Sequence, residues 1–210
     1  MNYQDIREKT PVSLFRDVDI ISSIVYLWSP YISMLFIREK IRPNAITLMM
    51  IISGVVGGVL LMMPNLYCKI AASIIYIIWY TFDLSDGEVA RFTKVFSRGG
   101  KYLDWCAHLA AHSLFAVGMW STFVYMGYDV FVTSILTFLL ISCELIRRNC
   151  LSLYSLYYID EDNKSLNTRR KSILKYLYSS FTFFPGMIII HSILVCLAII
   201  FEIQQFYWIY

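Results

Sequence analysis

Charge is scarce in this chain: Asp, Glu, Lys and Arg make up 16% of its 210 residues, against about a quarter in ordinary soluble domains. Cysteine supplies no framework either. Cys68, Cys106, Cys143, Cys150 and Cys196 have neither paired metal-ligand spacing nor a disulfide pattern, and four of the five lie in apolar runs, where they read as small core residues. Residues 1–10 are polar and charged and lack the apolar run and small-residue cleavage site of a secretory signal, so this segment is expected in the mature protein. What is abundant is apolar surface. The sequence is 58% hydrophobic, in blocks separated by short charged stretches, a pattern that fits a membrane-embedded chain and not a globular one.

A bilayer-crossing helix needs about 20 mostly apolar residues. Four stretches meet that length, at about 44–64, 68–91, 100–126 and 129–149, and a fifth runs from about 185 to 208. Pro64-Asn65 and Gly127-Tyr128-Asp129 break the pattern tightly, which pairs the spans as antiparallel hairpins and puts the loops 92–99 and 150–172 on one common side. Basic residues are retained on the cytoplasmic side. With the N-terminus inside, only Lys69 of the 18 basic residues falls outside. Residues 20–37 would export Arg7, Lys9 and Arg16 if they crossed, so they are expected to form a helix lying in the cytoplasmic interface. The expected fold is therefore an all-α polytopic membrane helix bundle of five or six spans with an N-terminal interfacial amphipathic helix. It divides into a cytoplasmic N-terminus and interfacial helix at 1–43 and a transmembrane domain at 44–210. Gly54 and Gly58, four residues apart on the first span, mark a face where another helix can approach closely.

Carboxylates inside spans are costly and so are functional candidates. The second span ends Asp83-Leu84-Ser85-Asp86-Gly87-Glu88-Val89-Ala90-Arg91, and the third begins Gly100-Lys101-Tyr102-Leu103-Asp104, with His108 one turn further. Helical spacing puts Asp83, Asp86 and Ala90 on one face and Gly100, Asp104 and His108 on another, and the short loop between them lets the faces meet. Three anions in one low-dielectric pocket repel unless a hard divalent cation neutralises them. Gly87 and Gly100 remove side chains where a ligand would approach the backbone, and Arg91 supplies a planar fork for phosphate oxygens. Together these residues describe a metal–diphosphate site opening to the cytoplasm. Glu88 points off the Asp83 and Asp86 face.

These residues resemble the signature of the CDP-alcohol phosphotransferases, DxxDGxxAR, eight residues, then GxxxDxxxD. Asp83, Asp86, Gly87, Ala90, Arg91, Gly100 and Asp104 match it, with eight residues from Phe92 to Gly99 in the gap. Pro43-Asn44-Ala45-Ile46-Thr47 is similar to the family's Pro-Asn-x-x-Thr element at the start of its first span. The resemblance implies a membrane homodimer that transfers a substituted phosphate from a CDP-linked donor to an alcohol or lipid acceptor, with CMP leaving. Asp83, Asp86 and Asp104 would hold Mg2+ or Mn2+, two ions in all. Arg91, Gly87, Ala90, Gly100, Asn44 and Thr47 would bind the CDP moiety. The membrane lipids are partners, and no nucleic acid is expected.

One position departs from the pattern: His108 stands where the family has its last aspartate, the position usually assigned as the base for the acceptor hydroxyl. A neutral imidazole can also take a proton, so the resemblance makes His108 the base. The same departure leaves open a catalytically inactive paralogue. A cation-coupled transporter is the rival from another class, opposed by a motif at one membrane face with no inverted counterpart. Arg147 and Arg148, after Glu144, are either interfacial anchors or, as in similar enzymes, residues for an acceptor phosphate. The basic run at 167–171 reads as a cytoplasmic topology signal, and His112 and His191 as structural polar residues.

Overall fold

A computed structural model describes residues 2–10 and 20–157, with isolated helical positions at Leu194 and Leu197. Among these residues every regular element is a helix: α1 (Tyr3–Lys9), α2 (Ile20–Arg38), α3 (Pro43–Met62), α4 (Leu66–Thr93), α5 (Gly100–Tyr125) and α6 (Val130–Tyr157). The expected fifth span, His191, Cys196 and the basic run at 167–171 lie outside the described residues.

The helix ends follow from local chemistry. Pro43 sits at the first position of α3, where a missing N–H costs nothing. Asn65 caps α4, its side chain accepting from the Tyr67 N–H at 2.8 Å, and this is the tight break expected between the first two spans. Lys94 takes up a left-handed conformation, φ 57°, and ends α4. Gly127, at φ +86°, turns the chain from α5 towards α6, whose first turn is capped by Asp129 accepting from the Val132 N–H. One boundary moves: α6 continues to Tyr157 and does not stop near 149. No proline or glycine interrupts 144–157, and the Glu144–Arg147 pair is spaced to support a helix.

Among the described residues, three helices, α3, α4 and the 130–147 part of α6, are long and apolar enough to cross a membrane by length and composition. The third expected span, α5, has the length at 26 residues but carries Asp104, His108, His112, Ser121 and Thr122, which lower its apolar character. Its polar groups serve the interior: His112 and Thr122 are buried. The core lies between α3, α4 and α5, where Met50, Tyr76, Trp79, Ala107, Ala111 and Phe115 pack together. Glycine sets the α3–α5 distance. A Cβ on Gly54 would stand 2.8 Å from the Ala111 Cβ, and one on Gly58 would stand 2.5 Å from the Leu114 Cβ, so the expected small-residue face is the one α5 occupies. The outward faces of α3 and α6 expose Ile52, Val56, Phe131, Leu136 and Phe138, an apolar surface suited to lipid.

At the far end of the bundle Lys69 is buried. Its ammonium donates to the Leu61 carbonyl at 3.0 Å and to Thr122 Oγ1 at 2.6 Å, a cation placed at the C-terminal end of α3. At the opposite end α2 runs along the 81–88 part of α4. Trp28 Nε1 donates to Thr81 Oγ1 at 3.1 Å, and Ser29 and Ser33 both donate to Glu88.

A candidate metal and diphosphate site

The last turns of α4 and the first turns of α5 carry the acidic cluster, and the six-residue turn at 94–99 brings them side by side. His108 Nε2 stands 3.2 Å from Asp83 Oδ1 and 3.6 Å from Asp104 Oδ1. These three donor atoms all lie within 4.8 Å of one another, close enough for one ion to meet them together. Asp104, one helical turn before His108, is the most open of the three, and His108 is the most enclosed. The His108 ring is held edge-on by Trp79 and His112, each with its centroid 5.4 Å away. His108 Nδ1 is buried and finds no hydrogen-bond partner, so Nε2 is the atom that meets charge.

Asp86 lies beside this cluster and not within it. Its Oδ2 accepts from Thr47 Oγ1 at 2.6 Å, and its carboxylate feels the charges of Asp104, Asp83 and Arg91. The Thr47 hydroxyl also lies 3.2 Å from the Pro43 carbonyl, one turn back in α3, so its single proton is shared between the two with Asp86 the nearer acceptor. Asn44 joins from the same helix start, its Oδ1 accepting from Ser97 Oγ at 2.9 Å. The Pro-Asn-x-x-Thr element therefore touches both Asp86, beside the cluster, and the turn between α4 and α5.

Two glycines shape the approach. A Cβ on Gly87 would stand 3.0 Å from Arg91 Nη1, so the guanidinium folds back over the space that this residue leaves. A Cβ on Gly100 would meet Ser97 Oγ at 2.9 Å and Asn44 Oδ1 at 3.7 Å. Arg91 Nε is buried without a hydrogen-bond partner. Ala90 completes this face of α4 and is half-buried.

Carboxylate oxygens and one imidazole nitrogen are ligands that divalent ions take, and three carboxylates against one guanidinium leave negative charge for a cation to offset. The residues present thus fit a divalent ion, with the difference that His108, and not Asp86, completes the closest donor set.

Three polar features near the site carried no motif. Glu88 is fully buried, paired with Arg7 Nη1 at 3.1 Å and accepting from Ser29 Oγ at 2.7 Å and Ser33 Oγ at 2.6 Å. His112 Nδ1 lies 3.0 Å from Glu144 Oε1, across a crevice between α5 and α6 lined by Leu109, Ser113, Leu140 and Ile141. Arg147 forks onto Glu144, with Nε to Oε2 at 2.7 Å and Nη2 to Oε1 at 2.6 Å. The Arg148 side chain lies outside the described residues. The sequence signal for Glu88 was a carboxylate in an apolar helix. Its cation is too distant in the chain to be read as its partner.

Comparison with known proteins adds one finding. The family model of the CDP-alcohol phosphatidyltransferases matches residues 40–204, a stretch that includes every residue of the cluster. No curated protein matches the chain.

Proposed function

The chain belongs to the CDP-alcohol phosphatidyltransferase family, and from that premise we propose a reaction and a role for each residue of the site. Family membership and three membrane-length apolar helices make it an integral membrane protein with transferase activity in phospholipid synthesis. The family is in general dependent on divalent metal.

The donor in this reading is CDP-linked, CDP-diacylglycerol before a soluble CDP-alcohol, and the acceptor is an alcohol. The acceptor hydroxyl attacks the phosphorus that bears the diacylglycerol or alcohol group. The new P–O bond forms as the phosphoanhydride breaks, CMP leaves, and the hydroxyl proton passes to water. Divalent ions, two on this reading and Mg2+ or Mn2+ by type, would offset the diphosphate charge while that bond breaks.

Asp83, Asp86 and Asp104 would hold the metal. Thr47 keeps Asp86 turned by occupying one of its oxygens. Arg91, folded over Gly87, offers its fork to the phosphates of CDP, and Gly87, Ala90, Gly100 and Asn44 leave room for the nucleotide. His108, at the register of the expected base, brings Nε2 to the same oxygens that would hold the ion. For Arg147 and Arg148 to serve an acceptor phosphate, Arg147 would exchange Glu144 for it. The site faces the cytoplasm, residues 1–43 form the interfacial segment and 44–210 the transmembrane domain, and two copies pair as a homodimer.

The observation that carries this reading is the convergence of Asp83, Asp104 and His108 donor atoms within 4.8 Å at the ends of the two motif-bearing helices. Protein reconstituted in liposomes with divalent metal, radiolabelled CDP-linked donors and a panel of alcohols should release CMP and form a lipid product. Absence of CMP release with every CDP-linked donor would overturn the reading in favour of an inactive paralogue.

A further inference from the structure

We propose that His108 is an inner-sphere nitrogen ligand of the divalent ion, which makes this a mixed oxygen and nitrogen site that prefers Mn2+ to Mg2+. The inference rests on the metal-dependent reading above and goes beyond it in assigning both a ligand and an ion.

Adjacent ligands on an ion with bonds of about 2.1–2.2 Å stand about 3 Å apart. The His108 Nε2 to Asp83 Oδ1 distance, 3.2 Å, is of that size, and the 3.6 Å to Asp104 Oδ1 closes with a small side-chain adjustment. Asp104 can make that adjustment because its side chain is 45% exposed. His108 cannot easily turn away. Its side chain is 12% exposed and the Trp79 ring meets it at 88°. Its Nδ1 faces the buried interior without a partner, which leaves Nε2 as the nitrogen directed at the carboxylates. Asp86, the remaining carboxylate, has one oxygen occupied by Thr47. The nearest three-donor set is thus two oxygens and one nitrogen.

That composition bears on the choice between Mg2+ and Mn2+. Mg2+ and Ca2+ favour all-oxygen shells, and imidazole shifts preference towards first-row transition ions. Mn2+ accepts a nitrogen while keeping the oxygen-rich, phosphate-compatible shell that the neighbouring carboxylates offer. An aspartate at position 108 would restore an all-oxygen set. Binding the ion takes Nε2 out of proton transfer, so His108 acts in this scheme by holding the metal and not as the base.

Pulsed electron paramagnetic resonance of the purified full chain with Mn2+ reads the coordination without turnover. The expected result is a nitrogen modulation from a directly bound imidazole, which changes to the 15N pattern when the protein is grown on 15N-histidine. His108→Asp should keep bound Mn2+, lose that modulation, and move the Mn2+ to Mg2+ affinity ratio towards Mg2+ on the order of tenfold. If the variant does not fold, the labelled wild type still decides the ligand type. Bound Mn2+ without nitrogen modulation would overturn the inference while leaving the metal site intact, and modulation persisting in His108→Asp would assign it to another histidine. Failure of the wild type to bind Mn2+ would overturn both the inference and the metal-dependent reading beneath it.

Discussion

Arg7 and Glu88, 81 positions apart, meet at 3.1 Å in a place where the Glu88 side chain has no exposure to solvent. The guanidinium also lies over the Tyr26 ring, so α1, α2 and the end of α4 are joined through one cation. Removing Arg7 takes away the ion-pair partner and leaves a buried carboxylate hydrogen-bonded to two serine hydroxyls, Ser29 and Ser33. Arg7→Met should therefore destabilise the protein by about 3 kcal/mol, the lower part of the range for a broken buried pair. Thermal unfolding in detergent reads this. Adding Glu88→Gln to Arg7→Met should recover part of the loss, and a double variant less stable than Arg7→Met would show that the pair is not what couples these helices.

The close approach of α3 to α5 gives a second expectation. Gly58→Ala would put a methyl 2.5 Å from the Leu114 Cβ and 3.2 Å from its backbone carbonyl carbon, so the helices must separate. A loss of about 1–3 kcal/mol is expected for such overpacking. Gly99→Ala, with nothing within 4 Å of the added carbon, should cost much less in the same melt.

Thr47 and Asp86 give a third. Thr47→Val keeps the volume but removes the 2.6 Å hydrogen bond that orients the carboxylate. Divalent-ion affinity should fall about 10–100-fold, as when a partner behind a ligand is lost, with little change in the melting temperature measured without metal. Unchanged affinity in a Mn2+ titration would take Asp86 out of the metal site.

These features differ in how far the sequence announced them. The hairpin breaks at Asn65 and Gly127, the small-residue face of Gly54 and Gly58, and the meeting of Asp83 with Asp104 and His108 all follow from helical spacing and short connections. Such local rules operate within a few residues. For Glu88 the spacing says only that it lies off the acidic face, because its partner Arg7 is brought to it by the packing of α1 and α2 and not by register. Spacing places Lys69 beside the turn between α3 and α4, and only the packing of α3 against α5 shows that its ammonium folds inward onto the Leu61 carbonyl. The replacement of Asp86 by His108 in the nearest donor set depends on side-chain rotamers, which spacing does not specify.

Topology can be checked from the turn between α4 and α5. Phe96, 72% exposed there, can be replaced by a single cysteine in a background without reactive native thiols. The retention of basic residues inside predicts that Phe96→Cys resists an impermeant thiol reagent in intact cells and reacts after permeabilisation. Labelling of intact cells would reverse the orientation of the site.

The most direct test compares CMP release from a radiolabelled CDP-linked donor by wild type and by the Asp83→Asn/Asp104→Asn double variant, both reconstituted in liposomes. These two carboxylates supply the oxygens nearest His108 Nε2, and without their charge a divalent ion has little to hold it. Wild type should release CMP only with divalent metal present, and the folded double variant should lose both the release and the metal binding. Equal CMP release by the two proteins, or release unaffected by a chelator, would contradict a metal-dependent transferase built on these residues.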